Sequence, residues 1–300
     1  MRSLTYSNYK FSVVAAFVLG LVTSSVTSVR AQLNPLASQY FQNQYLFNPA
    51  MAGLNKGLNI NLAYSKQAFG VDGAANVQSA SADYQMDKVG LGVNLYNQYS
   101  GVFRTTRAMV TYAYHLPLGG DNQKLNFGLS AGISNNHLNI GDVYGDQSDQ
   151  TLANYNNKGT SVDGDFGVAY TSNKLTVQGA LPNLRSLFKD NGSTVDREVF
   201  FTAVSYQFFD PANVSLEPKV AYRQVKGYTN ILDAGANVAF SNNQFCLQGI
   251  YHSSKSATFG AGFNMAAYSV LAFYTANTSA LNGYNNGDFE ISLKINLSKK

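Results

Sequence analysis

Charged residues are scarce in this chain of 300 residues, of which lysine, arginine, aspartate and glutamate make up only 13%. Soluble domains carry about 25%. Cysteine occurs once, as Cys246, and tryptophan is absent. One cysteine excludes a disulfide scaffold, the 6 prolines exclude a collagen-like chain, and a hydrophobic fraction of 45% excludes charge-rich disorder. The chain is instead rich in tyrosine, phenylalanine and glycine, which indicates a β-protein with a largely uncharged polar surface.

Long apolar runs are also missing. The run at residues 11–22 has 12 residues, whereas a transmembrane helix needs about 20. It follows the basic residues Arg2 and Lys10 and precedes the small residue Ala31, as in a secretory signal peptide. The residue directly after Ala31 is Gln32 and not a cysteine, which argues against a lipoprotein. We therefore expect residues 1–31 to be a cleaved signal peptide, the alternative being a buried N-terminal helix.

The basic balance of the chain comes from this N-terminal segment. The formal charge is +4, from 21 basic and 17 acidic residues. The segment contributes Arg2, Lys10 and Arg30 and no acid, so the rest of the chain has 18 basic and 17 acidic residues and a charge of +1. A nucleic-acid partner would require a basic patch, and we expect no such partner.

Beyond residue 56, apolar side chains recur at every second position. In residues 58–65 the apolar residues are the even ones, and in residues 125–134 they are the odd ones, with Asn, Gly and Ser between them. A β-strand points alternate side chains to opposite faces, so each segment has one apolar and one small polar face. Fourteen segments follow this pattern, at residues 57–66, 77–86, 89–99, 106–118, 124–134, 161–170, 174–183, 197–208, 215–226, 228–240, 244–252, 256–265, 268–276 and 287–297.

The second face of these strands distinguishes two architectures. A soluble sandwich exposes charged faces, whereas a transmembrane barrel turns apolar faces to lipid and polar faces to its lumen. Here the second face carries mainly Gly, Ser, Asn, Thr and Gln, and short turns such as residues 87–88 alternate with longer loops such as residues 135–160. We therefore predict an all-β fold over residues 57–300, a transmembrane outer-membrane β-barrel of about 14 antiparallel strands, plugged or braced by a short N-terminal segment.

Ten charged residues in the predicted strands all fall on the polar faces. A lysine or arginine facing lipid at the midplane would cost about 2–4 kcal/mol. We expect these charges in the lumen, either as ion pairs that fill it or as the wall of a channel or docking surface. They are Asp83, Arg107, Asp163, Asp165, Glu217, Lys219, Arg223, Asp233, Glu290 and Lys294.

The segment before the first strand carries a motif of its own. Residues 38–40 read Ser-Gln-Tyr, residues 47–50 read Phe-Asn-Pro-Ala, and Ala52 and Gly53 follow. This resembles the N-terminal signature of the PorP/SprF family, outer-membrane proteins of the type IX secretion and gliding systems of Bacteroidetes. Met51 stands where the family usually has an aromatic residue.

A weaker resemblance to the same family continues along most of the chain. It is carried by Leu216-Glu217-Pro218 and by the closing strand at residues 287–293. The resemblance implies a non-enzymatic outer-membrane component that aids secretion or surface anchoring of a large adhesin through the adhesin's C-terminal domain. It implies as partners outer-membrane lipid, the adhesin, and periplasmic ring or lipoprotein components of the machine. The alternative function is a general outer-membrane channel for small solutes.

Residues 32–56 lack the alternation of the strands. Pro49 fixes its own φ and biases Asn48 toward extended geometry, which marks a turn. Tyr45 and Phe47 are expected to be apolar anchors. The segment either plugs the barrel or contacts a partner directly, and the residues predicted for this role are Gln39, Tyr40, Tyr45, Phe47, Asn48, Pro49 and Gly53.

Side chains that could support catalysis or bind metal do not form a recognisable motif. His115 and His252 end polar strand faces, His137 is predicted in a long loop, and no pair has metal-ligand spacing. Cys246 alternates onto a polar face and is expected to be a buried free thiol. The acidic loop at residues 142–149 lacks the spacing of an EF-hand. We expect no catalytic residue, cofactor or metal site, and no enzyme activity.

Overall fold

The computed structural model describes residues 36–119, 122–143, 150–157, 159–188, 197–210, 214–226, 229–277 and 286–297. The predicted signal peptide lies outside these residues, as do residues 144–149 of the acidic loop. Among the residues described, no helix is both long and apolar enough to cross a membrane.

The strands predicted from the alternation are all present, with ends that differ by a few residues. The fifth predicted strand continues past its predicted end, because polar residues there still pair with the fourth, Arg104 opposite His137. His137 therefore lies on a strand, and its prediction as a loop residue was wrong. The strands are β1 Leu58–Lys66, β2 Asn76–Met86, β3 Val89–Ser100, β4 Phe103–Pro117, β5 Lys124–Leu138, β6 Thr160–Thr171, β7 Leu175–Leu181, β8 Arg197–Tyr206, β9 Phe208–Asp210, β10 Val214–Lys226, β11 Ile231–Phe240, β12 Phe245–His252, β13 Ser256–Asn264, β14 Tyr268–Asn277 and β15 Asp288–Leu297.

These strands close into a barrel. β1 pairs with both β2 and β15, and β10 pairs with β11, so the hydrogen-bonded ring is continuous. β8 and β9 form one strand of the wall, since both pair with β10 in the same register, Ser205 opposite Lys219 and Asp210 opposite Val214. The predicted closed barrel with 14 antiparallel wall strands is confirmed.

The two faces of the wall differ as the alternation predicted. On β1, Asn59 and Ser65 point inward and are 1% and 2% exposed, whereas Leu62 and Tyr64 point outward and are 41% and 43% exposed. The outer face is apolar on strand after strand, as lipid contact requires. The inner polar side chains are buried by other protein atoms, so the lumen of this barrel is filled.

The connections differ between the two ends of the barrel. At the end where β1 begins and β15 finishes, every connection between strands is short, with two to six residues, at 87–88, 118–123, 172–174, 211–213, 241–244 and 265–267. The connections at the opposite end include the longest ones, which span residues 67–75, 139–159, 182–196 and 278–287, together with three brief ones at residues 101–102, 227–230 and 253–255. Outer-membrane barrels keep short turns in the periplasm and longer loops outside, so we call these the periplasmic end and the outer end.

Helices are few and short in the part of the chain that the structure describes. α1, Gln150–Asn156, lies in the loop between β5 and β6, and α2, Arg185–Phe188, follows β7. Four 3₁₀ helices complete the list, η1 Ala37–Tyr40, η2 Gln44–Leu46, η3 Pro49–Met51 and η4 Ile140–Asp142.

Candidate functional site

We call residues 36–57 the plug, because residues 36–53 lie inside the barrel and residues 54–57 connect them to β1. Its three 3₁₀ helices, η1 to η3, are mostly buried. Its polar contacts reach β2, β4, β6, β7, β10, β11, β12 and β15, on all sides of the lumen. The sequence motif at residues 38–53 therefore belongs to the segment that fills the lumen of the barrel.

The first part of the plug is held by buried charges of the wall. Ser38 and Gln39 both donate hydrogen bonds to the carboxylate of Glu290 on β15. The Tyr40 hydroxyl donates to Asp233 on β11 at 2.6 Å. Lys219 on β10 donates from Nζ to the main-chain oxygen of Tyr40 at 2.7 Å. All three side chains are polar partners of the plug, and Lys219 and Asp233 also form ion pairs within the wall, with Glu217 and Arg223.

An aromatic cluster fixes the same part of the plug. The ring centroids of Tyr40 and Phe47 are 4.7 Å apart, and those rings lie 5.9 and 5.6 Å from Phe201 on β8. Phe201 points inward and is 1% exposed, with the small residues Ala180 and Ala203 beside it. Small wall residues here leave room for aromatic side chains of the plug.

Tyr45 anchors the plug on the opposite side of the lumen. Its hydroxyl is 2.7 Å from the Thr111 hydroxyl on β4, which in turn is 2.6 Å from Ser130 Oγ on β5. Burial raises the pKa of Tyr45, so the phenol stays protonated and can donate to Thr111.

The Asn48-Pro49 pair forms the sharp start of η3. Asn48 Oδ1 accepts a hydrogen bond from the Ala50 main-chain N–H at 2.9 Å and caps the helix, with Pro49 at its first position. Asn48 Nδ2 donates to the main-chain oxygens of Val168 and Gly179 at 3.2 and 3.3 Å. The side chain is fully buried, so it links the turn to the wall.

Two inward-facing glycines of the wall make this approach possible. A Cβ on Gly128 of β5 would collide with the main chain of Pro49 and Ala50, and one on Gly167 of β6 would collide with Asn48. The backbone of η3 therefore lies directly against the wall, at a distance that only glycine permits.

The plug leaves the lumen at the periplasmic end. Gly53 has a positive φ of 67° and donates its main-chain N–H to Asp83 of β2 at 2.9 Å. His115 of β4 hydrogen-bonds to the Ala52 main-chain oxygen at 3.0 Å and to Asn126 at 2.8 Å. These contacts fix the last turn of the plug before β1 begins.

The most extensive charge network lies around Asp233. Arg223 of β10 donates to Asp233 at 2.9 Å, and His252 Nδ1 of β12 lies 2.8 Å from its other oxygen. His252 Nε2 lies 2.8 Å from the Thr258 hydroxyl, which is 2.7 Å from Thr275. The order Asp–His–Thr matches a hydrolase triad, but Thr258 is buried and hydrogen-bonded on both sides, so the chain of contacts is structural.

A second cluster lies on the opposite wall, nearer the outer end. Arg107 of β4 donates to Asp165 of β6 at 2.7 Å and lies 3.6 Å from Asp163. Asp165 accepts the main-chain N–H of Asn183 at 2.9 Å, and Asp163 accepts that of Arg185 at 3.1 Å. The loop after β7 is thus fastened inside the mouth of the barrel.

A cavity of about 40 Å³ remains between this cluster and the plug. Its lining includes Tyr45, Phe47, Arg107, Asp165 and Pro182. Such a volume holds about one to three water molecules, which is too small for an organic solute.

The remaining predicted charges also point into the lumen. Lys219 Nζ is 3.3 Å from Glu217, and Lys294 Nζ of β15 donates to the Gln42 main-chain oxygen at 3.3 Å. Cys246 is buried and free. Among the described residues, no group of histidine, cysteine or acidic side chains could hold a metal ion.

Sequence reasoning did not single out His115, Thr111, Gly128 or Gly167 as plug contacts. The two glycines occupy inward positions of strands where Asn and Ser also occur, so the alternation alone gives them no distinct role. A glycine within a strand can mark a place where another backbone approaches closely. The sequence does not show which backbone that is, because the contact with the Asn48-Pro49 turn appears only in the folded structure.

Solved structures with the same overall fold are outer-membrane barrels. The toluene transporter TbuX of Ralstonia pickettii is 12% identical with a TM-score of 0.50, over 90% of this chain and 96% of that chain. The P. putida toluene transporter TodX is 11% identical with a TM-score of 0.45, over 87% and 95%. The Acinetobacter baumannii outer membrane protein Omp33 is 10% identical with a TM-score of 0.48, over 82% and 100%. At these identities the likeness to TbuX concerns the barrel fold alone.

No curated protein matches the chain. Its family is nevertheless defined, because a family-wide sequence model covers the plug and nearly all of the barrel. The match spans residues 29–295, and the chain belongs to the family described as type IX secretion system membrane protein PorP/SprF.

Proposed function

We propose that this protein is a non-enzymatic outer-membrane component of the type IX secretion machinery that aids secretion or surface anchoring of a large adhesin through the adhesin's C-terminal domain. Membership of the family makes it a type IX secretion component of the outer membrane. The observation that carries the finer proposal is the filled lumen, because a barrel closed by its own plug offers surfaces for protein contact rather than a passage for solutes.

The contacts of the plug support this proposal. Buried groups of the plug are bonded to eight wall strands, and one cavity of about 40 Å³ lies beside the plug. Passage of a solute would require many of these bonds to break together. An intact barrel of this kind is suited to a rigid role in a larger assembly.

We expect the proposed partners to bind at opposite ends of the barrel. Periplasmic ring or lipoprotein components would contact the short turns of the periplasmic end. The exported adhesin would contact the longer loops of the outer end, where a protein anchored at the cell surface is found.

A solute channel is the second candidate function. It is favoured by the likeness in fold to barrels that include a toluene transporter. In that case we expect the plug to move aside, because its hydrogen bonds to eight wall strands cross the lumen.

Purification of the intact protein from outer membranes tests the first proposal. We expect a large exported protein to be recovered with it through that protein's C-terminal domain. Recovery of no exported protein from cells that secrete such proteins would contradict the proposal.

Planar-bilayer recordings of the intact protein test the second candidate. A silent barrel is expected for the secretion role, and a steady open state of large conductance would favour the channel. A porin in the same bilayer preparation serves as the positive control.

A further inference from the structure

We propose that one half of the periplasmic end of the barrel is a docking surface for the acidic surface of a periplasmic protein. The inference rests on the proposed function and deepens it, because it gives a chemistry to the partner on that side of the membrane. It starts from four lysines at four successive strand junctions, which we call the lysine arc. They are Lys56 before β1, Lys88 between β2 and β3, Lys124 at the start of β5 and Lys174 between β6 and β7.

The charges of the lysine arc are available to a partner. The side chains of Lys56, Lys88 and Lys174 are exposed, and that of Lys124 is half-buried. Within the residues that the structure describes, none of the four side chains forms an ion pair. They differ in this from the lumen lysines Lys219 and Lys294, whose ammonium groups are bonded to the wall or to the plug.

Charge is distributed unevenly around the periplasmic end. The sequence places two acidic residues, Asp87 and Asp121, in the turns of the lysine arc, so four lysines and two aspartates give this half a charge of +2. The remaining connections at this end, residues 211–213, 241–244 and 265–267, contain no charged residue. The nearest charge in the sequence of that half is acidic, Asp210 at the end of β9. Only one side of the periplasmic end is therefore basic.

This one-sided arrangement favours a protein partner over lipid. Lipid surrounds a barrel on every side, so lysines that anchor phospholipid headgroups would be expected around the whole circumference. Lys124 also lies two residues before Asn126, a fully buried residue of the lumen face, and so belongs to the lumen side of β5. The main-chain oxygen of Lys56 accepts a hydrogen bond from the side chain of Asn296 at 3.3 Å, where the plug leaves the lumen. The lysine arc thus follows the mouth of the barrel and faces the periplasm.

Hydrogen bonds hold the turns of the lysine arc in place. The main-chain oxygen of Lys88 accepts the N–H of His115 on β4 at 2.7 Å. Asn122, in the turn after β4, donates from Nδ2 to Oδ1 of Asn173, in the turn after β6, at 2.8 Å. A surface that is already ordered loses little conformational freedom when a partner binds.

The spacing of the lysines lets their charges act together. Neighbouring strands lie about 4.8 Å apart, so lysines separated by two strands are about 10 Å apart. This distance is close to the screening length of about 8–10 Å at physiological salt. The potentials of neighbouring lysines therefore overlap, and an acidic surface is attracted to the arc as a whole, which raises the rate of encounter and makes binding sensitive to salt.

Photo-crosslinking in intact cells tests the position of the docking surface. The photoreactive amino acid p-benzoylphenylalanine replaces Lys174 in the full-length protein, and the matched control replaces Ala266, an exposed residue in a turn of the uncharged half. We expect position 174 to give an adduct with a periplasmic protein whose crosslinked peptide is rich in aspartate and glutamate, and position 266 to give none. Adducts only with lipid, equal adducts at both positions, or no adduct at position 174 would overturn the proposal.

Neutralising the lysines tests whether their charge is what binds. Lys88→Gln combined with Lys174→Gln lowers the net charge by two, and the control, Gln244→Glu combined with Ala266→Glu, lowers it equally on the other half, where both residues are exposed. With a folded barrel confirmed by heat-resistant gel mobility, we expect a several-fold loss of the crosslinked partner, recorded from a photoreactive residue at position 56, for the lysine variant only. Lys88→Arg combined with Lys174→Arg should keep the partner.

The outcomes separate this docking surface from the wider function. Equal crosslinking in the lysine variant, its control and the unmodified protein would refute the lysine arc, and the secretion role would stand if the exported protein is still recovered. Recovery of no exported protein with the unmodified barrel would refute the secretion role itself, whatever the lysine variant does.

Discussion

Asp233 is the residue at which the wall and the plug are most closely joined. One carboxylate accepts hydrogen bonds from Tyr40 and Arg223, and it also contacts His252, while being 1% exposed. A buried charge is tolerated only when it is paired and hydrogen-bonded. The contribution of Asp233 to the stability of the folded barrel therefore depends on how many buried groups lose a partner when it is replaced.

Replacing Asp233 with alanine is expected to destabilise the folded barrel by about 3–5 kcal/mol, because the buried side chains of Tyr40, Arg223 and His252 would lose the carboxylate that they share. The measurement is the temperature at which heat-resistant gel mobility is lost. Arg104→Ala is the matched control, since Arg104 pairs with Asp142 at an exposed site, and it should change little. An equal, small effect of both variants would contradict the role of the network.

Replacing Gly167 with alanine tests the close approach of the plug to the wall. The added Cβ would overlap Asn48, so we expect a loss of stability of about 1–3 kcal/mol from overpacking. Gly249→Ala is the control, because a Cβ there meets no atom within 4 Å. The two variants are compared by thermal unfolding followed on gels, and identical transitions would argue against the contact.

The elements show which parts of the fold the sequence makes visible. Strand positions followed from the alternation of residues such as Leu58 to Ser65, because one face meets lipid and the other meets the lumen. The end of β7 was predicted two residues late, at 183 rather than Leu181, since Pro182 and Asn183 do not interrupt the composition of the segment. The anchors Tyr45 and Phe47 were visible as aromatics, but their partners Thr111 and Phe201 were not, because a single sequence does not reveal contacts across a lumen.

Two substitutions of Tyr45 are expected to destabilise the plug by different amounts. Tyr45→Phe removes only the hydrogen bond to Thr111 and is expected to cost about 1 kcal/mol. Tyr45→Ala also removes a buried ring and is expected to cost about 3–5 kcal/mol. Protease cleavage at the plug in purified, folded protein measures the difference, and equal protection of both variants would contradict the packing role.

Combining Tyr45→Ala with Phe47→Ala extends the test from stability to function. We expect this variant to have lower heat-resistant gel mobility and less adhesin at the cell surface, since both anchors of the plug are lost. Unchanged behaviour in both assays would show that neither residue fixes the plug.

For the molecule as a whole, closure depends on one pair of strands that are distant in sequence. β1 and β15 pair from Leu58 opposite Leu297 to Lys66 opposite Phe289. Among the described residues, β15 is the only strand besides β2 that pairs with β1. The barrel is therefore complete only when the C-terminal strand is in place.

Truncation after Leu293 is expected to abolish insertion of the folded barrel, because residues 58–61 of β1 would lose their partners and face lipid unpaired. Truncation after Leu297 is the control and should leave a folded barrel, since it keeps every β1–β15 pair. Folded protein in the outer-membrane fraction is the measurement. A folded barrel from the shorter chain would contradict the requirement for complete pairing.

The location of the plug also couples the filling of the lumen to the closure of the barrel. Residues 36–53 precede every strand in the chain, yet they lie within a ring that β15, the last strand, completes. Ser38 and Gln39 donate hydrogen bonds to Glu290 on that strand. The plug, which precedes β1, therefore packs against the last strand of the wall. Packing of the plug and closure of the barrel are therefore mutually dependent, because β15 supplies a buried partner to the plug while completing the ring.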